Sequence, residues 1–240
     1  MPAQLSWGPF TIQTGLLAVI AAAVAAIFAV RLLSRLYGAA AKEAADYWQN
    51  AAFIVMLVWK FGHVLFAPAV VWQRPLALIV MNGGTRELLL AVAAAAVYVL
   101  AKIRRGRLPL PLFLDLSAFG AVAAVFVYAC IDRETGAATS LPWGLTVSDP
   151  EYRYHPVSAY SMIVAAVVAA LLWMRRGAAG SGELARIASL YMGAGMLLVS
   201  FWDVPAPTYW LLSAFQWRAL ALAAVGIIFS ARVHNKGERS

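Results

Sequence analysis

Seven stretches of this chain are apolar over close to the ~20 residues that an α-helix needs to cross the hydrocarbon core of a bilayer, and no long hydrophilic block separates them. They run over about residues 10–33, 47–72, 87–103, 111–131, 157–174, 184–202 and 209–231, the third being the shortest. A chain with such short intervals has nowhere to place a soluble domain. Hydrophobic residues make up 63% of its 240 positions, where soluble domains hold about 45–50%. The expected fold is therefore an all-α integral membrane protein, a single transmembrane domain over residues 1–240 with seven transmembrane helices.

The basic residues give that bundle an orientation, because Lys and Arg collect on the cytoplasmic side of membrane proteins. Arg31, Arg35 and Lys42 follow the first stretch, and Lys102, Arg104, Arg105 and Arg107 follow the third. Arg175, Arg176 and Arg186 follow the fifth, and Arg232, Lys236 and Arg239 end the chain. The opposite side holds only Arg74, Arg86, Arg133, Arg153 and Arg218. The alternation places the N-terminus outside and the C-terminus in the cytoplasm of a multi-pass protein of a bacterial inner membrane. It also accounts for the net charge of +8, so no nucleic-acid partner is implied. No Lys or Arg precedes the first apolar run, as a signal peptide would require, and that run is expected to stay in the mature protein.

Charge inside hydrocarbon costs about 2.5–3.5 kcal/mol on insertion scales, so polar residues within the stretches need a reason. Lys60 lies mid-stretch, and His63, three residues on, shares its helical face. Asp115 and Ser117 read as polarity at the end of the fourth stretch. Arg218, well inside the seventh, calls for an acid or a phosphate, and Asp203 is the candidate partner. Residues 73–86 hold a short apolar run closed by Asn82-Gly83-Gly84, which reads as a re-entrant or interfacial segment lining a cavity or as a plain surface turn. Trp202, Tyr209, Trp210 and Trp217 have the character of an interfacial aromatic belt. Gly193 and Gly195 are small enough to let helix backbones approach closely.

The longest polar interval, Ser140–Tyr160, takes in the second half of the 132–156 loop, on the expected outer side. Arg153 and His155 precede Pro156, which suits the first turn of a helix. A helix start with two such side chains beside it can hold an anionic headgroup. Cys130 is the single cysteine, so neither an internal disulfide nor a cysteine metal cage can form. No phosphate loop, HExxH, GxSxG or paired metal-ligand spacing occurs, and no metal or cofactor is implied.

Gly136, then Leu141-Pro142-Trp143-Gly144, then His155-Pro156 and Tyr160 form a run that resembles the "G…LPWG…RHPSQLYE" segment of bacterial prolipoprotein diacylglyceryl transferase. That family moves diacylglycerol from phosphatidylglycerol to a lipoprotein cysteine, with seven spans and a site open to the outer leaflet. Weaker likenesses are Gly15-Leu16, Gly62 with Val64-Leu65-Phe66, and Gly83-Gly84. The resemblance implies a phosphatidylglycerol-like phospholipid partner, and a lipoprotein or other membrane protein. It further implies lipid or phosphate contacts at Asn82, Gly83, Gly84, Arg133, Arg153 and Arg218, and proton chemistry at His155 and Lys60. The departures fall on the family's chemistry: Asn82 stands for its histidine, Val125 and Tyr128 for its arginine and asparagine, Met196 for a further arginine, Thr14 for its tyrosine, Lys60 for an arginine and Ser161 for a glutamate. A phosphate ester is broken with cations on the phosphate and a base for the thiol, and Val125 and Met196 supply neither. The expectation is a divergent relative that binds phospholipid or a membrane partner with lost or altered catalysis. An active transferase, and more remotely a small transporter or channel, are the alternatives.

Overall fold

The computed structural model describes residues 4–7, 10–69, 73, 83–106, 109–147, 151–204 and 206–237. The chain forms two compact units, residues 34–113 and, separately, residues 1–33 with 114–240. Asn82 and the rest of 74–82, the middle of the expected re-entrant segment, lie outside the described residues.

The 34–113 unit is built on two helices, α2 over Ala39–Phe61 and α4 over Thr85–Arg104, with the short α3 over His63–Phe66 between them. Gly38 opens α2 at φ 82°, a left-handed conformation that suits a residue without Cβ. The expected stretch from residue 47 starts eight residues earlier as a helix, because Ala39–Ala45 is built of strong helix formers and the Tyr47 hydroxyl donates to Glu43 Oε1 one turn back at 2.6 Å. It also ends earlier, at Phe61. The helices run antiparallel, Tyr47 meeting Tyr98 near one end and Gly62 lying beside Glu87 near the other, and each buries alanines, Ala41, Ala44 and Ala45 on α2 and Ala91 and Ala95 on α4. At one end Asn50 Nδ2 donates to the Tyr98 hydroxyl at 3.2 Å, and Lys102 lies over the rings of Tyr47 and Tyr98. At the other, Gly83 sits so close to the Trp59 carbonyl that a Cβ there would come within 1.9 Å of its oxygen.

In the other unit a hairpin, β1 Gln4–Trp7 with β2 Phe10–Gln13, precedes α1 over Thr14–Ser34. Helix α5 spans Leu110–Ile131 and enters this unit at Leu114, α6 spans Val157–Met174, α7 spans Glu183–Val199, and α8 spans Ala214–Gly237. The α7 backbone packs closely against both neighbours. A Cβ on Gly193 would lie 2.5 Å from the Ala223 nitrogen and 2.7 Å from the Ala219 oxygen, one on Gly226 would lie 2.7 Å from the Leu190 nitrogen, and one on Gly195 would meet Val164 of α6 at 2.5 Å. Small residues thus bring α7 against α8 on one side and α6 on the other, the packing that apolar helices use when water supplies no drive between them.

Asp115 is fully buried. It does not mark the polar end of a span. Its Oδ2 accepts the backbone N–H groups of Gly180 and Gly182, and its Oδ1 that of Ala185. These include donors that a helix start leaves without partners, so one α5 side chain closes the beginning of α7.

Among the described residues four helices are long and apolar enough to cross a membrane, over Leu17–Ser34, Leu110–Ile131, Val157–Met174 and Glu183–Trp202, and Ala214–Ile228 is a shorter apolar helix. The molecule is a mostly helical membrane protein, and its described residues add two short hairpins to the expected helices. The second hairpin, β3 Thr208–Tyr209 with β4 Leu212–Ser213, occupies the start of the expected seventh stretch. Helix α8 begins after it because Ser213 and Gln216 cap each other reciprocally: Gln216 N–H donates to Ser213 Oγ at 3.2 Å and Ser213 N–H to Gln216 Oε1 at 2.9 Å.

Candidate functional site

The 132–160 segment joins α5 to α6 and is held by a dense set of bonds. Ser158, in the first turn of α6, accepts the Glu134 N–H at 2.7 Å and donates to the Asp132 carbonyl at 2.7 Å, stitching the end of one helix to the start of the next. Tyr154 lies between two partners. It exchanges both backbone bonds with Leu145 at 2.9 Å, and it bridges Ala138 on its other side. Thr139 N–H donates to the Arg153 carbonyl, His155 N–H to that of Ala137, and Gly136 N–H to that of His155.

The two glycines of the run are explained by space. A Cβ on Gly136 would come within 2.0 Å of the Trp202 oxygen and 2.5 Å of Val157 Cγ2, while one on Gly144 would meet Arg153 Cβ and Thr139 Cγ2, both at 2.8 Å. Ala137 N–H then donates to the Trp202 carbonyl at 2.9 Å. The end of α7 is thereby drawn against the loop, and Trp202 becomes a wall of the site.

His155 is 9% exposed. Its ring lies 6.0 Å from that of Tyr160 and 6.2 Å from that of Trp202, and the last two meet edge to face at 5.4 Å. The Trp143 indole donates to the Tyr160 hydroxyl at 3.0 Å, and that hydroxyl lies 3.1 Å from His155 Nδ1. An indole N–H can only donate, so the Tyr160 oxygen accepts from it. A hydroxyl can accept a second bond as well as donate its own proton, so the direction of the Tyr160–His155 bond is set by the imidazole tautomer. With Tyr160 as the donor, Nε2 carries the ring hydrogen and presents a donor to an anion.

Around this chain the loop is charged. Arg153 is exposed and donates to the Pro142 carbonyl at 3.3 Å, and Arg133 is exposed on the approach from α5. Desolvation holds the Glu134 carboxyl above the usual carboxylate range, and the neighbouring charges of Asp132 and Asp203 push the same way. Pro156 is buried and caps α6. Pro142, Trp143, Gly144, Pro156 and Tyr160 thus all serve to hold the loop and its histidine in place.

The remaining expected residues lie elsewhere. Arg218 stands in the first turns of α8, not deep within a span. It donates through Nε to the Ala214 carbonyl at 3.1 Å and lies over the Phe215 ring, so it makes no pair with Asp203, whose Oδ1 accepts the Val204 N–H. Lys60, Gly83 and Gly84 belong to the 34–113 unit. Lys60 is in the last turn of α2. The Gly84 N–H donates to Glu87 Oε2 at 2.7 Å at the start of α4. His63 is 7% exposed, and neither ring nitrogen has a hydrogen-bond partner among the described residues.

Trp202, which the sequence suggests only as part of an aromatic belt, packs on His155, and Ser158, which the sequence did not single out, holds the loop. The Trp202 contacts have no local signal, since they join residues more than forty positions apart. Ser158 sits just behind Pro156 at a helix start, where hydroxyl side chains commonly serve as caps. Among the described residues no group of three or more His, Cys, Asp or Glu side chains is placed to hold a metal ion. No protein-family model matches this chain, and no curated protein matches it.

Proposed function

We propose that this chain is a seven-span protein of a bacterial inner membrane, with its N-terminus outside, its C-terminus cytoplasmic and the 132–156 loop on the outer face. In this reading the loop binds the headgroup of a phosphatidylglycerol-like phospholipid, alone or with a lipoprotein or another membrane protein, and diacylglyceryl transfer is lost or altered. The observation that carries it is the Trp143–Tyr160–His155 chain of bonds, which holds a buried imidazole in place near the exposed Arg153. A donor and a cation beside aromatic walls suit an anionic phosphate.

In this reading Tyr160 donates to Nδ1, so that Nε2 carries the ring hydrogen and does not serve as a general base. The positions aligned by resemblance with the family's arginine and asparagine point the same way: Val125 has no polar group, and the Tyr128 hydroxyl donates to Asp132 Oδ2 at 2.6 Å. Complementation of a transferase-depleted bacterium tests the reading. Expression of this protein is expected to leave growth unrescued, and rescue that His155→Ala abolishes would establish the active transferase instead.

A further inference from the structure

The β3–β4 hairpin turns through Trp210 and Leu211, and its register, Thr208 with Ser213 and Tyr209 with Leu212, leaves these two as the whole loop. Both have positive φ, 52° and 70°. Two-residue hairpin loops ask for this backbone, and Asn-Gly meets the demand without strain. Bulky residues are strained there. Trp210 and Leu211 accept that strain and gain no burial within the protein, since each is 92% exposed. What rewards the choice lies outside the chain.

We infer that Trp210 and Leu211 seat in the headgroup–acyl boundary of the bilayer, anchoring this end of the α7–α8 pair. Three observations commit the tip to lipid. The hairpin lies between the apolar helices Glu183–Trp202 and Ala214–Ile228 and runs straight into the second. Its two-residue strands extend only ~7 Å, so the tip stays at the level where those helices end. Between residues 187 and 217 the single charged side chain is Asp203, and the neighbours Phe201, Val204 and Tyr209 are exposed as well. Indole and aliphatic side chains with few charges are what the interface accepts. The hairpin is also latched: the Trp217 indole donates to the Tyr209 carbonyl at 2.8 Å, so the tip is held out on a stiff base. Because Trp202 packs on His155, the anchor stands on the same side of the unit as the candidate headgroup site.

The test uses the full chain in vesicles of phosphatidylglycerol and phosphatidylcholine, carrying Cys130→Ser and Leu211→Cys with a nitroxide on the new thiol. Collisions with oxygen, which concentrates in lipid, are compared with those of a water-soluble nickel chelate. The label is expected to meet oxygen far more than nickel, and to become nickel-accessible when Trp210→Asn is added. A label fully open to nickel overturns the inference, and so does one shielded from both relaxants, which would indicate a protein contact such as a second copy. If the cysteine variant does not fold, the emission lost between wild type and Trp210→Phe serves instead. It is expected to be quenched by lipids brominated near the headgroup, and lack of quenching overturns the inference. Either result leaves headgroup binding at His155 to be judged separately.

Discussion

Asp115 and Ala185 are joined by a 2.9 Å bond from the Ala185 N–H to the buried Asp115 carboxylate, which at the same time accepts from Gly180 and Gly182. One side chain on α5 therefore serves as the cap of α7, where the positive end of the helix dipole also favours an acid. Asp115→Ala leaves three backbone donors without this acceptor, and bonds to a charged group contribute about 1.5–3 kcal/mol each. Unfolding in detergent is expected to show a loss of roughly 3 kcal/mol or more for Asp115→Ala. Asp115→Asn, which keeps one carbonyl oxygen, should lose distinctly less.

The approach of α7 to α8 makes a sharper demand. Gly193 faces the backbone of Ala219 and Ala223, with no flexible side chain to yield. Gly193→Val should destabilise by about 1–3 kcal/mol or more, the range for forcing atoms into filled space. Gly177, where a Cβ meets nothing within 4 Å, is the matched control, and Gly177→Ala should be close to neutral in the same thermal scan.

Glu134 gives the loop a pH dependence. Its carboxyl is held above its ordinary value of 4.5, so the folded state keeps a proton that the unfolded chain has already released. The contribution of Glu134 to stability is thus greatest below 4.5 and falls as pH rises from there through the folded value. Glu134→Gln removes that slope. The variant should be at least as stable as wild type at neutral pH and should show a flatter melting temperature against pH above 4.5.

His63 is buried with both ring nitrogens unpaired among the described residues. A buried polar group without a partner costs about 1–3 kcal/mol, so His63→Leu should hold or raise the unfolding free energy. A fall of more than about 1 kcal/mol would mean that the imidazole has a partner in the membrane-embedded protein.

Apolar length located much of this fold. The helices at Leu110–Ile131 and Val157–Met174 lie within a residue of where counting places them. Counting reads depth in oil, however, and a helix can outrun it: α2 starts at Ala39 because alanine, Lys42 and Glu43 are good helix formers whatever surrounds them. The start of α8 was legible in Ser213 and Gln216, three apart as a capping box requires, but the apolar run through Tyr209–Leu212 hides it. Asp115 looked like end polarity because its partners come from a segment sixty-five residues away. The loop run was legible as a group through resemblance. The space around Gly136 and Gly144, which makes them glycines, depends on Trp202 and Arg153 and can be seen only once the chain is folded.

The central claim is that the loop around His155 holds an anionic phospholipid headgroup, and lipid retention measures it directly. Native mass spectrometry of the purified chain, released from bilayers of mixed phosphatidylglycerol and phosphatidylethanolamine, would count the lipids that stay bound. The account predicts preferential retention of phosphatidylglycerol by the wild type and a loss of about tenfold in affinity, ~1.4 kcal/mol, in both His155→Ala and Arg153→Ala. Equal retention of the two lipids, or phosphatidylglycerol held equally by all three proteins, would contradict it.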